Sequence, residues 1–214
     1  MPDSAASLPR FALDFATTGP SPRLDQVLEL ARSLCPDPAI AKGLAPLARR
    51  LGLRHGAPHQ AMADAALALR LHRVLEAWER IQRALGQAEA LVYLAGPVRG
   101  DGTRACMRHN QSQMRLLAQW AQGVLPRATL FVPHCNFAFL DESRDPEGLV
   151  RGLAMRSCEK VLSRSDVLVL CADEPSPGMV RETQVAVQLG LPVFQVPGWD
   201  ARVAGPGARA AGAA

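Results

Sequence analysis

DVLVLCADEPSPGMVRETQVAVQLGLPVFQV, residues 166–196, runs from an unbroken apolar stretch through a turn containing proline and glycine into a segment of helical spacing, then into a second short apolar stretch. That order is strand, turn, helix, strand. Upstream, LVYLAG at 91–96 and TLFVP at 129–133 have the same strand-like texture, with helical segments between them. Four strands alternating with helices at these intervals imply βαβ units and a parallel sheet covered on both faces. The expected class is α/β, an open parallel sheet of about four to five strands of the Rossmann or flavodoxin-like kind.

Ahead of residue 89 the texture is different. Apolar residues recur at helical spacing in Val27, Leu28, Leu30, Ala31 and Leu34, again in Leu44, Leu47, Ala48 and Leu51, and from Ala61 through Leu75. Pro36, Pro38, Gly52 and Pro58 punctuate three helices. The organisation expected is a mainly α-helical segment over 1–88, an α/β domain over 89–198 and a Gly/Ala-rich flexible tail over 199–214. No internal repeat or heptad run is evident.

Composition narrows the function classes. Over 214 residues, 48% hydrophobic content against 21% charge is ordinary for a globular chain. No apolar run approaches the roughly 18 to 20 residues of a membrane helix, and MPDSAASLPR lacks the cationic and apolar regions of a secretory signal. A cytoplasmic protein with no membrane partner is expected. Five cysteines, without CxxC spacing, are expected as reduced and mostly buried thiols. The net charge of +4 divides as 11 basic against 8 acidic residues over 1–88 and 13 against 12 over 89–214. Neither part is a polycation of the kind that grips a phosphate backbone, and aromatics at 5% are too few for a base-stacking platform. Nucleic acid is not the expected partner.

In an open parallel sheet, ligands bind beyond the carboxyl ends of the strands. After the first strand, AGPVRGDGTR offers glycines that admit close approach and two arginines, Arg99 and Arg104, for an anion; the alternative is a plain βα turn. After the second, PHCNF places His134 and Asn136 at the sheet's end, His134 as either a loop residue or a catalytic one. After the third, Ser176, Gly178 and Met179 open a helix whose hydroxyl and amides can cup a polar group, with Glu182 one turn further on. A solvated helix glutamate is the alternative for Glu182.

YLAGPVRGD at 93–101, VPH at 132–134, and SPGMVRE at 176–182 followed by Ala186 and Gly190 occur in order on the expected strand ends. Over about residues 90–197 the chain resembles the nucleoside 2-deoxyribosyltransferase-like superfamily, in particular an uncharacterised phage and bacterial branch. The resemblance implies a nucleotide or nucleoside ligand. Glu182 would attack C1′ of a deoxyribosyl group to form a covalent glycosyl-enzyme, with Tyr93 lining the pocket. Ser176 and Gly178 would bind the 5′ oxygen or phosphate. Gly96, Pro97, Arg99, Gly100, Asp101, His134 and Met179 would complete the substrate site, with no cofactor and no metal. A homo-oligomer is implied as well. One position departs from the pattern: where many active members carry an aspartate ahead of the third strand, this chain has Cys158, with Glu159 beside it. A thiol does not replace a carboxylic acid at neutral pH without a strong pKa shift. Glu159, Asp141 and His134 are the candidates to compensate.

FALDFATTG at 11–19 and HQAMADA at 59–65 resemble the first and third motifs of DnaQ-like 3′–5′ exonucleases, with Asp14 and Asp64 at metal-ligand positions and His59 at the general base. Ala16 stands where the family's essential glutamate would be, and the short span from Asp14 to Asp64 leaves no room for the second motif. The segment is expected to be a truncated remnant. The sequence thus admits three functions: an N-glycosidase or deoxyribosyltransferase acting on deoxynucleosides or their monophosphates, a non-catalytic nucleotide-ligand sensor or interaction module, and an inactive derivative of a metal-dependent exonuclease.

Overall fold

The computed structural model describes residues 22–35, 43–51, 53, 61–86, 88–100, 102–137 and 148–197, apart from the side chains of Leu24 and of residues 61–65. The described elements run α1 (Leu24–Leu34), α2 (Leu44–Arg50), α3 (Ala61–Leu85), β1 (Leu91–Ala95), α4 (Arg104–Val124), β2 (Thr129–Phe131), α5 (Pro133–Asn136), α6 (Leu149–Leu162), β3 (Val167–Cys171), α7 (Pro177–Gln188) and β4 (Val193–Val196). All four strands are parallel, in the order β2-β1-β3-β4. The chain is thus an α/β protein with an open parallel sheet. The change of texture near residue 89 coincides with the α3–β1 junction, where Gly86 at φ 57° ends the helix and donates its N–H to the Gln82 carbonyl.

Burial follows strand position. Every residue of the central strand β3 is buried, as are four of the five on β1, whereas the outer strands β2 and β4 are mostly half-buried. Side chains alternate across the sheet. Tyr93, Ala95, Leu168 and Leu170 point to one face, and Val92, Leu94, Val167 and Val169 to the other.

The strand order sets which helix covers which face. From β1 the chain moves outward through α4 to β2, then returns past β1 through α6 to β3 and on through α7 to β4. Right-handed crossovers in opposite directions put their helices on opposite faces. Accordingly α4 packs Met114, Leu117, Trp120 and Ala121 against the Val92 face, while α6 and α7 pack Cys158, Leu162, Met179 and Ala186 against the Tyr93 face.

A single helix, α4, would leave the β3–β4 half of its face bare. The N-terminal helices fill it: α3 contacts β4, and its Leu71, Val74, Leu75, Trp78 and Ile81 belong to the same buried cluster as Val167, Val169 and Val196. Helix α1 lies on α3 and contributes Val27, Ala31 and Leu34. Where α1 ends, Cys35 presses on α4 so closely that a Cβ built on Gly123 would stand 2.5 Å from the Cys35 Sγ. Only glycine permits that approach. No helix among the described residues is long and apolar enough to cross a membrane.

Trp78 on α3 and Trp120 on α4 are both fully buried in this shared layer. Trp78→Ala is expected to lower stability by about 3 to 5 kcal/mol. Helix and sheet should unfold together, so the near-ultraviolet signal of Trp120 and the far-ultraviolet signal should give superimposable denaturant curves. Two separated transitions would show that α3 is not part of the sheet's core.

Candidate functional site

A cavity of about 700 Å³ opens beyond the carboxyl ends of β1 and β3, where α4 leaves toward one face and α6 and α7 lie on the other. The strand order reverses at β1, so the loops on either side diverge and leave a crevice. Its walls come from the β1–α4 loop (Gly96 to Gly100), the first turns of α4 (Arg104, Met107, Arg108), Pro133 and His134 of α5, one face of α6, and the β3–α7 loop with the start of α7.

Glu182 lines its base, and Tyr93 lies buried behind Glu182. Glu182 is only 7% exposed and Tyr93 is fully buried, and the Tyr93 hydroxyl donates to Glu182 Oε1 at 2.6 Å. Helix periodicity brings this about: Met179, Glu182 and Ala186 recur at three and four residues, so the glutamate shares the buried face of α7 with two apolar residues. Burial pushes the Glu182 carboxyl up from 4.5 to about 7, against the opposing pull of the Tyr93 hydrogen bond and the Arg151 charge. Burial, and then the Glu182 charge, push the Tyr93 hydroxyl far above its usual range, so it remains a donor. Burial also pushes the Cys158 thiol up to about 11. At neutral pH it is an uncharged thiol lining the cavity.

The start of α7 forms one side of the cavity. Ser176 caps the helix by accepting the Met179 N–H at 3.4 Å, with Pro177 in the first turn. A Cβ on Gly178 would meet nothing closer than the Ser176 Oγ at 3.9 Å and the Arg151 Nη2 at 4.0 Å, so this bare backbone faces the guanidinium. Thr103 caps α4 in the same way, accepting the Cys106 N–H at 3.2 Å. Neither helix has an acidic residue in its own first turn to offset the positive end of its dipole.

Of the residues expected from the sequence, Gly96, Pro97, Arg99, Gly100, Arg104, His134, Ser176, Gly178, Met179 and Glu182 all line this one cavity, and Tyr93 supports its base through Glu182. Gly100 at φ 54° and Gly102 at φ 84° turn the β1–α4 loop toward the helix start. His134 is buried and its Nε2 lies 3.0 Å from the Pro97 carbonyl; a carbonyl only accepts, so Nε2 carries the proton. Burial lowers the ring's pKa to about 4, despite that hydrogen bond, and His134 is neutral at neutral pH. Glu159, a candidate to compensate for Cys158, accepts from Arg181 Nε at 2.6 Å on the outer seam of α6 and α7 and is not part of the cavity wall. Asp101, Asp141, Asp14 and His59 lie outside the described residues, as does the side chain of Asp64. Among the described residues, no cluster of three His, Cys, Asp or Glu side chains could hold a metal ion.

Several cavity residues are not evident from the sequence, among them Arg108 on α4, Arg151 and Met155 on α6, and Glu174 after β3. A signal for α6 does exist, because Arg151, Met155 and Cys158 fall at successive turns of one helix face. Nothing in their spacing shows which face turns inward. Comparisons with known proteins find no family model, no curated protein and no solved structure that matches this chain.

The raised Glu182 pKa ties stability to pH. The folded state holds this proton more tightly than the unfolded state, so the stability it contributes is complete below about 4.5 and is lost as pH rises through about 7. Relative to Glu182→Gln, the wild type should lose on the order of 3 kcal/mol across that window, read from urea midpoints at each pH. Tyr93→Phe removes a bond that favours the charged form and should move the carboxyl still higher in a ¹³C titration. Parallel pH curves for wild type and Glu182→Gln would contradict the assignment.

Proposed function

We propose that the cavity binds a nucleotide or nucleoside and that the chain acts as an N-glycosidase or deoxyribosyltransferase on deoxynucleosides or their monophosphates. The observation that carries this reading is the buried Tyr93–Glu182 pair at the base of a cavity walled by Arg99, Arg104, Arg108 and Arg151. The sugar would sit over Glu182, and an anionic group would sit among the guanidiniums and the first amides of α7.

In the reaction, Glu182 Oε attacks C1′ as the C1′–N bond breaks; the bonding pair leaves with the base, which takes up a proton from water. The resulting ester is opened by water, giving the free sugar, or by an incoming base, giving a new nucleoside. Tyr93 aims the carboxylate. A carboxylate nucleophile must be ionised, and with a pKa near 7 Glu182 is about half ionised at neutral pH. A neutral Cys158 where many active members of the family the sequence resembles carry an aspartate supports a second reading, a sensor that holds the same ligand without cleaving it.

Incubation with the four deoxynucleoside monophosphates separates the two. An enzyme releases free base at a rate that climbs with pH through about 7, and Glu182→Gln abolishes the release by at least 10²-fold. Binding by calorimetry without base release, and without exchange when a free acceptor base is added, establishes the sensor. If no deoxynucleoside or monophosphate is bound or cleaved, both readings fall.

A further inference from the structure

The β1–α4 loop is held from beneath by two buried side chains on different elements. His134 Nε2 donates to the Pro97 carbonyl at 3.0 Å, and Asn110 Nδ2 on α4 donates to the next carbonyl, that of Val98, at 2.9 Å. Asn110 is 1% exposed, its Oδ1 has no hydrogen-bond partner among the described residues, and it is not part of the cavity wall. A buried carboxamide with an unsatisfied oxygen costs stability compared with an apolar residue of similar size. Asn110 shares the buried face of α4 with Met114 and Leu117, where its only use to folding is the bond to the Val98 carbonyl and a weak contact with the Cys106 sulfur.

Peptide geometry gives the asparagine a different use. In a planar trans peptide, C=O and N–H point in opposite directions. With the Val98 carbonyl directed at Asn110, the Arg99 N–H of the same peptide points the opposite way, away from Asn110, in a segment whose Pro97, Val98 and Arg99 line the cavity. The Pro97 carbonyl, tied to His134, fixes the preceding peptide. We infer that Asn110 and His134 are positioning residues: by pinning two successive carbonyls they orient the β1–α4 loop so that its backbone amide and the Arg99 guanidinium meet a ligand oxyanion together. This inference rests on the nucleotide reading for the identity of the ligand. The pinning does not.

Three measurements test it, each accompanied by a thermal melt. Amide hydrogen exchange over residues 96–100 of the unliganded protein should quicken at least tenfold in Asn110→Leu and in His134→Leu. In the same variants, calorimetric affinity for the best-bound deoxynucleoside monophosphate should fall about tenfold or more. His134→Gln, which can place an N–H near the position of Nε2, should recover most of both. Asn110→Asp provides a readout that a merely structural role would not produce: its ionised carboxylate cannot donate to Val98, while its protonated form can. The ratio of its affinity to that of the wild type should therefore recover as pH falls. If exchange and affinity are unchanged in both leucine variants, or if the Asn110→Asp ratio does not vary with pH, the inference is overturned and the nucleotide reading stands. If the wild type binds neither a deoxynucleoside nor a monophosphate, the nucleotide reading is overturned, and the loop exchange alone decides for or against the pinning.

Discussion

β3 lies in the middle of the sheet with every residue from Val167 to Cys171 buried, and β1 beside it is nearly as enclosed. Two strands that must hide both faces require a helical layer on each side, and most of the architecture answers that demand. The crossovers supply α6 and α7 to one face but only α4 to the other. α3 makes up the deficit, so the helices ahead of β1 share a core with the sheet. The crevice at the reversal of strand order is a by-product of the same arrangement, because loops leaving β1 and β3 for opposite faces cannot meet above the strand ends.

Within that crevice the balance of forces on Glu182 is the main chemical fact. A hydrogen bond from Tyr93 and the charge of Arg151 both favour the carboxylate, yet the group titrates near 7 instead of 4.5, so desolvation outweighs the two combined. A carboxyl poised there is ionised about half the time at neutral pH and is less heavily solvated than one at the surface. The same burial keeps Tyr93 and Cys158 uncharged, which leaves Glu182 the only member of this trio that changes charge near neutrality. The neighbouring arginines give the cavity a cationic wall suited to an anionic ligand.

The fold was largely legible because its signals are local. Each of the four strands was visible as an apolar run bounded by turn residues, and the three helices ahead of residue 89 as periodic spacing broken by proline and glycine. Strand ends differed by a residue or two: TLFVP yields a strand only through Phe131, since Pro133 opens α5. The site was legible wherever chemistry falls just past a strand, as with Gly96, Arg99, Ser176 and Gly178. It was opaque where a residue reaches the cavity from a helix face, as with Arg108 on α4 and Arg151 and Met155 on α6.

Local spacing alone therefore determines the element order, the parallel α/β class and the strand-end residues, because periods of 2 and 3.6 and turn-forming residues act over a few positions. Every relation between distant residues required the folded chain. Tyr93 meets Glu182 across 89 positions, His134 and Asn110 converge on adjacent carbonyls, and α3 closes a face of a sheet that begins only after it ends. Such contacts are set by which face each helix turns inward and by the order in which strands pair, and both are settled by packing the whole chain.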